Sequence, residues 1–392
     1  MELADSNKRS CAIIMSDNEK WLEEAWEFVI EKTTRNNETI GANFPHASVD
    51  KKYVLEDPEW WTAGFWPGLL WQVYQENKDD ALRKTAEQCE ANLDYLLSDS
   101  EKLDHDMGFM WTLTSLANYK LIGNKESRRR GLLAANFLLG RFNAQGNYIR
   151  AWNAWSKKED NRGVAIIDCM MNLPLLYWAS EETGDPRFKI AAEKHAETVK
   201  KHFIQPDGSV HHIVVFDPET GEVVDKLGGQ GYAPDSAWSR GTAWALYGLT
   251  LSYLHTNNIE FLYAAKSVSH FFLSNLRPNE CPAWDFRIPE DGEKRYSYPD
   301  SSAGSIAACG LLMLGKLVTD FEKPIYQEAG ANLLKTLYTT CATKEDKEEE
   351  GLLNNGTSHF PEQKNVDVPL IYGDYFFVEA LNVLRQKDVL FW

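Results

Sequence analysis

Hydrophobic and polar positions alternate along the chain in segments of two kinds. Some segments are apolar on almost every side, and others carry one apolar stripe opposite a charged face. A helix that is apolar all round is buried, and a helix with one apolar stripe covers it. The apolar segments are residues 61–71, 105–122, 168–180, 240–255, 301–318 and 374–384. The striped segments are residues 16–30, 79–97, 125–142, 185–203, 259–276 and 323–342.

This alternation predicts an all-α protein with twelve helices in six pairs. A closed double ring with the apolar helices inside, an (α/α)6 barrel, has that composition, and we expect residues 1–392 to form one such domain. A linear array of helical repeats is the competing architecture, although the sequence has no repeat of fixed period. Residues 210–216 (V-H-H-I-V-V-F) depart from the helical pattern, and the turn sequences around them predict a small β-hairpin insertion.

Capping signals mark the ends of three predicted helices. Ser16 to Glu19 has the pattern of a capping box that would start the first helix. Asp185 and Pro186 suit an N-cap and the first helical residue, and Gly123 suits a C-cap.

Polar motifs fall at the N-terminal end of each predicted inner helix. Because the inner helices of a closed double ring run parallel, these ends meet at one rim. The long loops at residues 143–162, 226–238, 277–300 and 344–372 would wall a pocket there. Six helix N-termini also make the rim electropositive, which suits an anionic ligand. The motifs are Trp61-Thr62, His105-Asp106, Asp168, Ser239-Arg240, Ser301-Ser302 and Gly373-Asp374.

Two aspartates at this rim are candidate catalytic groups. Asp168 lies within a nearly unbroken apolar run, and desolvation raises the pKa of a buried carboxyl group toward neutrality, as a general acid requires. Asp106 starts the preceding inner segment, so the two side chains are expected on neighbouring inner helices. Enzymes that hydrolyse sugars usually use one protonated and one ionised carboxyl group. The alternative is that each aspartate merely caps its helix.

The glycine- and tryptophan-rich stretch at residues 228–244 places Arg240 in an otherwise apolar helix. A lone arginine there must meet an anion, which either a substrate or the protein supplies. His211 and His212 lie on the predicted hairpin strand. We expect His211 to be an exposed strand residue and His212 to be the better candidate for the pocket.

The composition of the chain indicates which classes of binding partner to expect. The chain has 58 acidic and 41 basic residues, a net charge of −17, which argues against nucleic acid or an anionic membrane surface. The aromatic content of 12% suits stacking on sugar rings as well as packing in a large core. No segment approaches the length of a membrane span, and the sequence carries no signal for an oligomeric state.

The six cysteines are scattered, without the spacing of a zinc site. We therefore expect free thiols and no metal site. The first residues lack the basic start and long apolar region of a secretion signal. Together these features predict a cytoplasmic protein.

Several motifs, in this order and spacing, resemble the unsaturated glucuronyl hydrolases of glycoside hydrolase family 88. They are W-T-A-G-F-W-P-G from Trp61, H-D-M-G-F from His105, I-I-D-C-M-M-N-L-P-L-L from Ile166, G-Q-G-Y-x-x-D-S-x-W-x-R-G-x-A-W from Gly229 and P-A-W-D-F from Pro282. The motifs cover most of the chain and are specific in combination. The resemblance implies a single (α/α)6-barrel catalytic domain. It also implies short substrates released by polysaccharide lyases, with a 4,5-unsaturated uronate at the non-reducing end.

The resemblance further implies roles for individual residues. Asp168 matches the general acid/base, and Asp106 matches the second essential carboxylate, which holds sugar hydroxyls. The implied substrate-binding groups are His105, Trp61, Trp152, His212, Gln230, Arg240 and Trp244. In the C-terminal loop, Ser358 and Lys364 lie where some members carry a Ser/Lys cluster for sulfated sugars, but the spacing differs and sulfate preference stays open.

The implied reaction is hydration of the C4=C5 enol ether. A proton from Asp168 reaches C4, water adds at C5, and the ionised Asp168 takes the proton of the water. The hemiketal then opens and the next sugar is released. No metal or organic cofactor is needed.

Three alternatives stay open at this point. An unsaturated rhamnogalacturonyl hydrolase shares the barrel and the chemistry but acts on a pectin-derived substrate; the Arg240 motif and H-D-M-G-F favour the glucuronyl family. A sugar epimerase on the same barrel would use histidine bases, for which His255 and His270 are poorly placed. A non-catalytic helical scaffold leaves the converging polar motifs unexplained.

Overall fold

Two concentric rings of helices build the protein. A computed structural model describes residues 2–154, 156, 159–289, 298–387 and 389–392, with side chains from residue 20 onward except that of Ser100. The inner ring contains α2 (Phe65–Asn77), α4 (Met107–Trp111) continuing through a π-helical turn into α5 (Ala117–Ile122), α7 (Leu173–Thr183), α9 (Ser239–Thr256), α11 (Ser301–Leu317) and α13 (Ile371–Leu384). The outer ring contains α1 (Glu2–Ile40), α3 (Asp80–Asn92), α6 (Lys125–Leu139), α8 (Pro186–His202), α10 (Ile259–Ser274) and α12 (Lys323–Thr340).

The burial of the two rings confirms the predicted alternation. Every residue of α11 from Ser301 to Gly315 is buried, whereas its partner α12 buries only a stripe. The inner ring closes because α13 packs against both α11 and α2, while α9 packs against α11 on its other side. The (α/α)6 barrel predicted from the sequence is therefore confirmed.

Two of the three predicted helix ends are confirmed. The Asp185 carboxylate accepts a hydrogen bond from Arg187 N at the start of α8, and Gly123 ends α5 with a φ of 78°. The predicted start at Ser16 is wrong, since α1 begins at Glu2. The side chains of that capping box lie outside the described residues.

Short strands decorate one end of the barrel. Among the described residues they form four small sheets, of which the sequence predicted only the hairpin of β6 and β7. The predicted strand is shorter than expected and begins at Ile213. The strands are β1 (Phe44–Val49), β2 (Lys52–Glu56), β3 (Phe142–Asn143), β4 (Tyr148–Ile149), β5 (Val164–Ile166), β6 (Ile213–Phe216), β7 (Val223–Leu227), β8 (Gly356–His359) and β9 (Lys364–Val368).

The pairing of β5 with β6 positions the loops at the rim. Ile166 lies opposite Ile213, and Ile167 N donates to His212 O at 3.0 Å. Residues 168 and 212 are therefore brought side by side. None of the helices in the described ranges is long and apolar enough to cross a membrane.

A buried carboxylate holds the inside of the inner ring together. Glu379 of α13 accepts hydrogen bonds from Tyr247 OH (2.5 Å), Tyr375 OH (2.6 Å) and Trp392 Nε1 (2.7 Å). These donors come from α9, from α13 itself and from the C-terminal segment. Because all three groups are buried donors, they need an acceptor at this position.

We predict that Glu379→Gln lowers the free energy of unfolding by about 1–3 kcal/mol, because the amide NH2 faces a donor and leaves a buried group unsatisfied. Urea unfolding followed by tryptophan fluorescence measures the change. Glu328→Gln, at an exposed position on α12, is the matched control and should change stability by less than about 0.5 kcal/mol. Equal effects of the two substitutions would contradict a structural role for the Glu379 cluster.

Candidate active site

Asp168 lies in the tight turn Ile167–Met171 between β5 and α7. Its side chain is 11% exposed, and Oδ1 has no hydrogen-bond partner among the described residues. Burial raises the pKa of Asp168 to about 6, although the nearby Arg240 charge opposes the shift. The carboxyl group thus retains its proton far above the usual aspartate range, which is what an acid catalyst requires.

His212 faces Asp168, with 3.7 Å between Nε2 and Asp168 Oδ1. His212 Nδ1 lies 3.0 Å from Gln230 N and 3.2 Å from Gly228 O, so the loop of Gln230 holds the ring from its Nδ1 side while Nε2 faces Asp168. Burial lowers the pKa of His212 to about 3, which keeps the ring neutral. Gly229 makes this contact possible: it has a φ of 55°, and a Cβ there would overlap the imidazole.

Asp106 begins α4 but does not cap it. Its carboxylate makes no cap hydrogen bond; instead Oδ1 accepts from Asn172 Nδ2 at 3.2 Å and lies 3.4 Å from His105 Nε2. The interpretation of Asp106 as a simple helix cap is therefore wrong. Burial and repulsion from Asp104 and Asp168 raise the pKa of Asp106 well above its usual value. Burial and mutual repulsion thus favour the protonated forms of these carboxyl groups, whereas Asn172 and Arg141 favour the ionised form of Asp106.

His105 is fully buried. Burial, and then the charge of Arg141, lower its pKa well below the usual value, so the ring is neutral. It contacts Asp106 rather than the pocket surface. The structure thus places His105 as a support for Asp106, whereas the sequence suggested a substrate contact.

Arg240, in the first turn of α9, meets its anion within the protein. Nη1 lies 2.6 Å from Asp300 Oδ2 and donates to Thr357 O at 2.6 Å. Nη2 donates to Gln230 Oε1 and to Ser358 O, both at 2.5 Å. Of the two anions that the sequence left open, the structure supplies the protein carboxylate. Arg240 thereby ties the loop of Gln230 to the β8–β9 hairpin.

Aromatic rings surround this centre. Trp61 lies 4.9 Å from Tyr372 between ring centroids, and Trp244 packs 5.2 Å from Phe109. Trp244 Nε1 is buried, and its N–H favours the ionised form of Asp168 and so opposes the rise of that pKa. Trp152 is half-buried against a small apolar cluster that includes residues of β5 and β6. These rings come from five separate segments of the chain.

Several other residues named from the sequence do not line the pocket as expected. Ser358 contributes its carbonyl oxygen to Arg240, whereas Lys364 is 69% exposed and pairs with Glu362 at 2.5 Å. Asp374 points away from the pocket, since it accepts hydrogen bonds from Tyr53 OH and from the backbone N–H groups of residues 352 and 353. The expectation of an exposed His211 is wrong, because it is 4% exposed and contacts Pro234 O.

Three further polar residues of this site were not predicted from the sequence. Asp104 belongs to none of the motifs named above, but its Oδ1 accepts a hydrogen bond from Asp106 N at 2.8 Å. Asn172 contacts Asp106, and Asp300 pairs with Arg240. The only available signals were the D-H-D repeat, an asparagine one turn after Asp168 and an aspartate before a predicted helix. In the described ranges no group of three His, Cys, Asp or Glu side chains could hold a metal ion.

Paired buried aspartates and aromatic rings at the inner-helix N-termini of an (α/α)6 barrel are typical of enzymes that cleave sugars. The family model described as Glycosyl Hydrolase Family 88 matches residues 20–367. The chain therefore belongs to glycosyl hydrolase family 88. This membership confirms the resemblance to the unsaturated glucuronyl hydrolases and disfavours the epimerase and scaffold alternatives.

Individual relatives agree. The unsaturated chondroitin disaccharide hydrolase of Streptococcus pyogenes serotype M1 is 36% identical over 91% of this chain and 90% of its own. The unsaturated glucuronyl hydrolase of Bacillus sp. (strain GL1) is 36% identical over 92% of this chain and 96% of its own. The crystal structure of the Bacillus sp. GL1 enzyme, responsible for the degradation of glycosaminoglycan, superposes with a TM-score of 0.89 at 35% identity, covering 93% of this chain and 97% of that one.

A further solved structure carries a sugar. An Asp→Asn mutant of the Streptococcus agalactiae unsaturated glucuronyl hydrolase, complexed with dGlcA-GalNAc6S, superposes with a TM-score of 0.82 at 29% identity. It covers 95% of this chain and 93% of its own.

We predict that Asp300→Ala lowers the free energy of unfolding by about 3–5 kcal/mol, because it leaves the buried Arg240 charge unpaired. Asp300 also caps α11 by accepting from Ser302 N at 3.1 Å. Chemical denaturation measures the loss.

Asp185→Ala is the matched control for the cap. Asp185 likewise caps a helix and pairs with an arginine, Arg187, but that arginine side chain is 71% exposed. Its removal should cost only about 1 kcal/mol. A loss at Asp300 no larger than at Asp185 would contradict the importance of the buried pair.

Proposed function

We propose that this enzyme hydrates the C4=C5 double bond of the unsaturated glucuronate at the non-reducing end of lyase-generated glycosaminoglycan oligosaccharides. Unsaturated chondroitin and hyaluronan disaccharides are the proposed substrates. The observation that carries the proposal is the buried Asp168 carboxyl group, with a pKa near neutrality and an Oδ1 atom free of hydrogen bonds to described residues. The dGlcA-GalNAc6S bound by the S. agalactiae relative supports the substrate class.

The proposed first step is proton transfer from Asp168 to C4. The electron pair of the double bond forms the new C–H bond, and positive charge develops at C5 and the ring oxygen. Water then attacks C5 while the ionised Asp168 accepts its proton, so the acid is regenerated. The resulting hemiketal opens to a C5 ketone, and C1 expels the next sugar. The residues perform this sequence without a metal or an organic cofactor.

Neighbouring residues position the sugar in this proposal. Asp106 holds sugar hydroxyls, and the His212 ring, with Nε2 3.7 Å from Oδ1, restricts the orientation of the Asp168 carboxyl group. Trp61, Trp152 and Trp244 form the aromatic walls. Arg240 holds Gln230 and the β8–β9 hairpin in place and supplies a positive field for the uronate carboxylate, although Asp300 neutralises part of it.

We further propose that residues 1–392 act as a single catalytic domain in the cytoplasm. One continuous apolar core that includes both Trp21 and Trp392 supports the single domain. The five cysteines whose side chains the structure describes are free thiols, which suits a reducing compartment.

Asp168→Asn should fold normally and lose about 100- to 10,000-fold in turnover, because an amide cannot deliver the proton. Ultraviolet absorbance of an unsaturated chondroitin disaccharide follows the reaction, since hydration removes the absorbing double bond. Asp320→Asn, at an exposed loop position, is the matched control and should keep wild-type rates.

The same assay separates the substrate alternatives. Unsulfated and 6-sulfated disaccharides test the open sulfate preference, and an unsaturated rhamnogalacturonan disaccharide tests the pectin alternative. Wild-type activity on the pectin-derived substrate alone would overturn the glucuronyl assignment. Activity of Asp168→Asn at wild-type rates would overturn the acid assignment.

The pH dependence provides a second test of the acid. Asp168 must be protonated to act, and burial places its pKa at about 6. We therefore predict that kcat/KM is level below that pH and falls about tenfold for each pH unit above it. A profile of kcat/KM that stays flat well above the pKa of Asp168 would contradict its role as proton donor.

A further inference from the structure

Asn172 is a buried asparagine that the proposed mechanism does not use. It lies immediately before α7 and is completely buried. Its backbone N–H donates to Cys169 O at 2.9 Å within the turn that carries Asp168. Asn172 is therefore held firmly relative to Asp168, one helical turn away in sequence.

The Asn172 amide reaches across to α4 with both of its polar atoms. Oδ1 accepts from Phe109 N at 2.7 Å, and Nδ2 donates to Asp106 Oδ1 at 3.2 Å. The first N–H groups of a helix have no partner within it, and an aspartate at the N-cap position ordinarily accepts from one of them. Asp106 holds that position and makes no such bond, because Asn172 takes its place.

The contact depends on close packing at Gly108. A Cβ at this residue would overlap the Cα and side chain of Asn172. The glycine of H-D-M-G-F and the asparagine of I-I-D-C-M-M-N thus form two halves of one contact between neighbouring inner helices. This packing gives a physical reason for both residues.

We propose that Asn172 is the positioning residue of the active site: it caps α4 from the neighbouring element, frees the Asp106 carboxylate for the sugar and fixes it relative to Asp168. The proposal deepens the proposed function and rests on it. Asn172 touches no reacting atom and acts through Asp106.

The electrostatic surroundings of Asp106 explain why a neutral amide is needed. Asp104 and Asp168 repel its negative charge, Arg141 attracts it, and the neutral His105 lies beside it. The Nδ2–H of Asn172 is a donor that favours the ionised form without adding charge. A carboxylate in its place would add a further repulsive group.

Asn172→Asp is the decisive variant. It keeps an oxygen for Phe109 N but replaces the donor to Asp106. At low pH the new carboxyl group is protonated and can still donate to Asp106; as the pH rises, it ionises and repels Asp106. We expect the ratio of variant to wild-type kcat/KM to fall at least tenfold between pH 5 and pH 8. A purely structural role would change the rate by the same factor at every pH.

Asn124→Asp is the matched control. Asn124 caps α6 by accepting from Glu126 N and Ser127 N, and a carboxylate keeps those bonds. Its ratio to wild type should be constant with pH. A flat ratio for Asn172→Asp as well would overturn the proposal.

Asn172→Ala covers the case in which the aspartate variant does not fold. It lacks both polar atoms, so kcat/KM should fall at least tenfold and the amides of residues 107–111 should exchange hydrogen faster. Wild-type activity together with unchanged exchange would overturn the proposal. Hydrogen exchange tests the cap independently of turnover, so a wild-type enzyme inactive on every unsaturated disaccharide would refute the proposed function while the exchange result still decides the cap.

Discussion

The buried ion pair of Arg240 and Asp300 is the interaction on which the rim of the barrel depends. A guanidinium group out of water needs a carboxylate and acceptors for its remaining N–H groups. Arg240 finds them in Asp300, in Gln230 and in two backbone carbonyls of the β8–β9 hairpin. Gln230 N in turn contacts His212 Nδ1 and helps to hold the ring so that Nε2 faces Asp168. One desolvated charge thus connects two inner helices, two loops and the acid.

The same pair shapes the electrostatics of the acid. An isolated arginine near Asp168 would hold that carboxyl group ionised, and its charge does oppose the shift. Desolvation is the larger effect, so the pKa of Asp168 rises to about 6 despite the arginine. A site in an acidic protein can therefore keep a proton on one carboxyl group and still contain a buried arginine.

The sequence predicted what depends on local pattern and missed what depends on contact between distant segments. The two rings follow from burial periodicity, and Asp168 and Asp106 were recognisable as acids in apolar surroundings. The role of Asp300 was not recognisable, because its partner Arg240 lies 60 residues away. An aspartate just before a helix also has the pattern of an ordinary N-cap. The β8–β9 hairpin was missed because its alternating pattern is short and polar. The helix start predicted at Ser16 is wrong although the capping-box pattern is present, because that pattern lies inside a longer helix that begins at Glu2.

Helix capping explains how the catalytic carboxylates remain available. Every inner helix begins at the rim with N–H groups that attract carboxylates. An aspartate there would ordinarily hydrogen-bond to these groups as an N-cap and would then be less available to a substrate. In this barrel other groups precede or cap several of the inner helices. Tight turns at Trp61–Gly64 and Ile167–Met171 precede α2 and α7, Asp300 caps α11, and Asn172 caps α4 from its neighbour. Because Asn172 rather than Asp106 caps α4, and because Asp168 Oδ1 has no hydrogen bond to a described residue, neither carboxylate is used as a cap and both can bind or protonate a sugar.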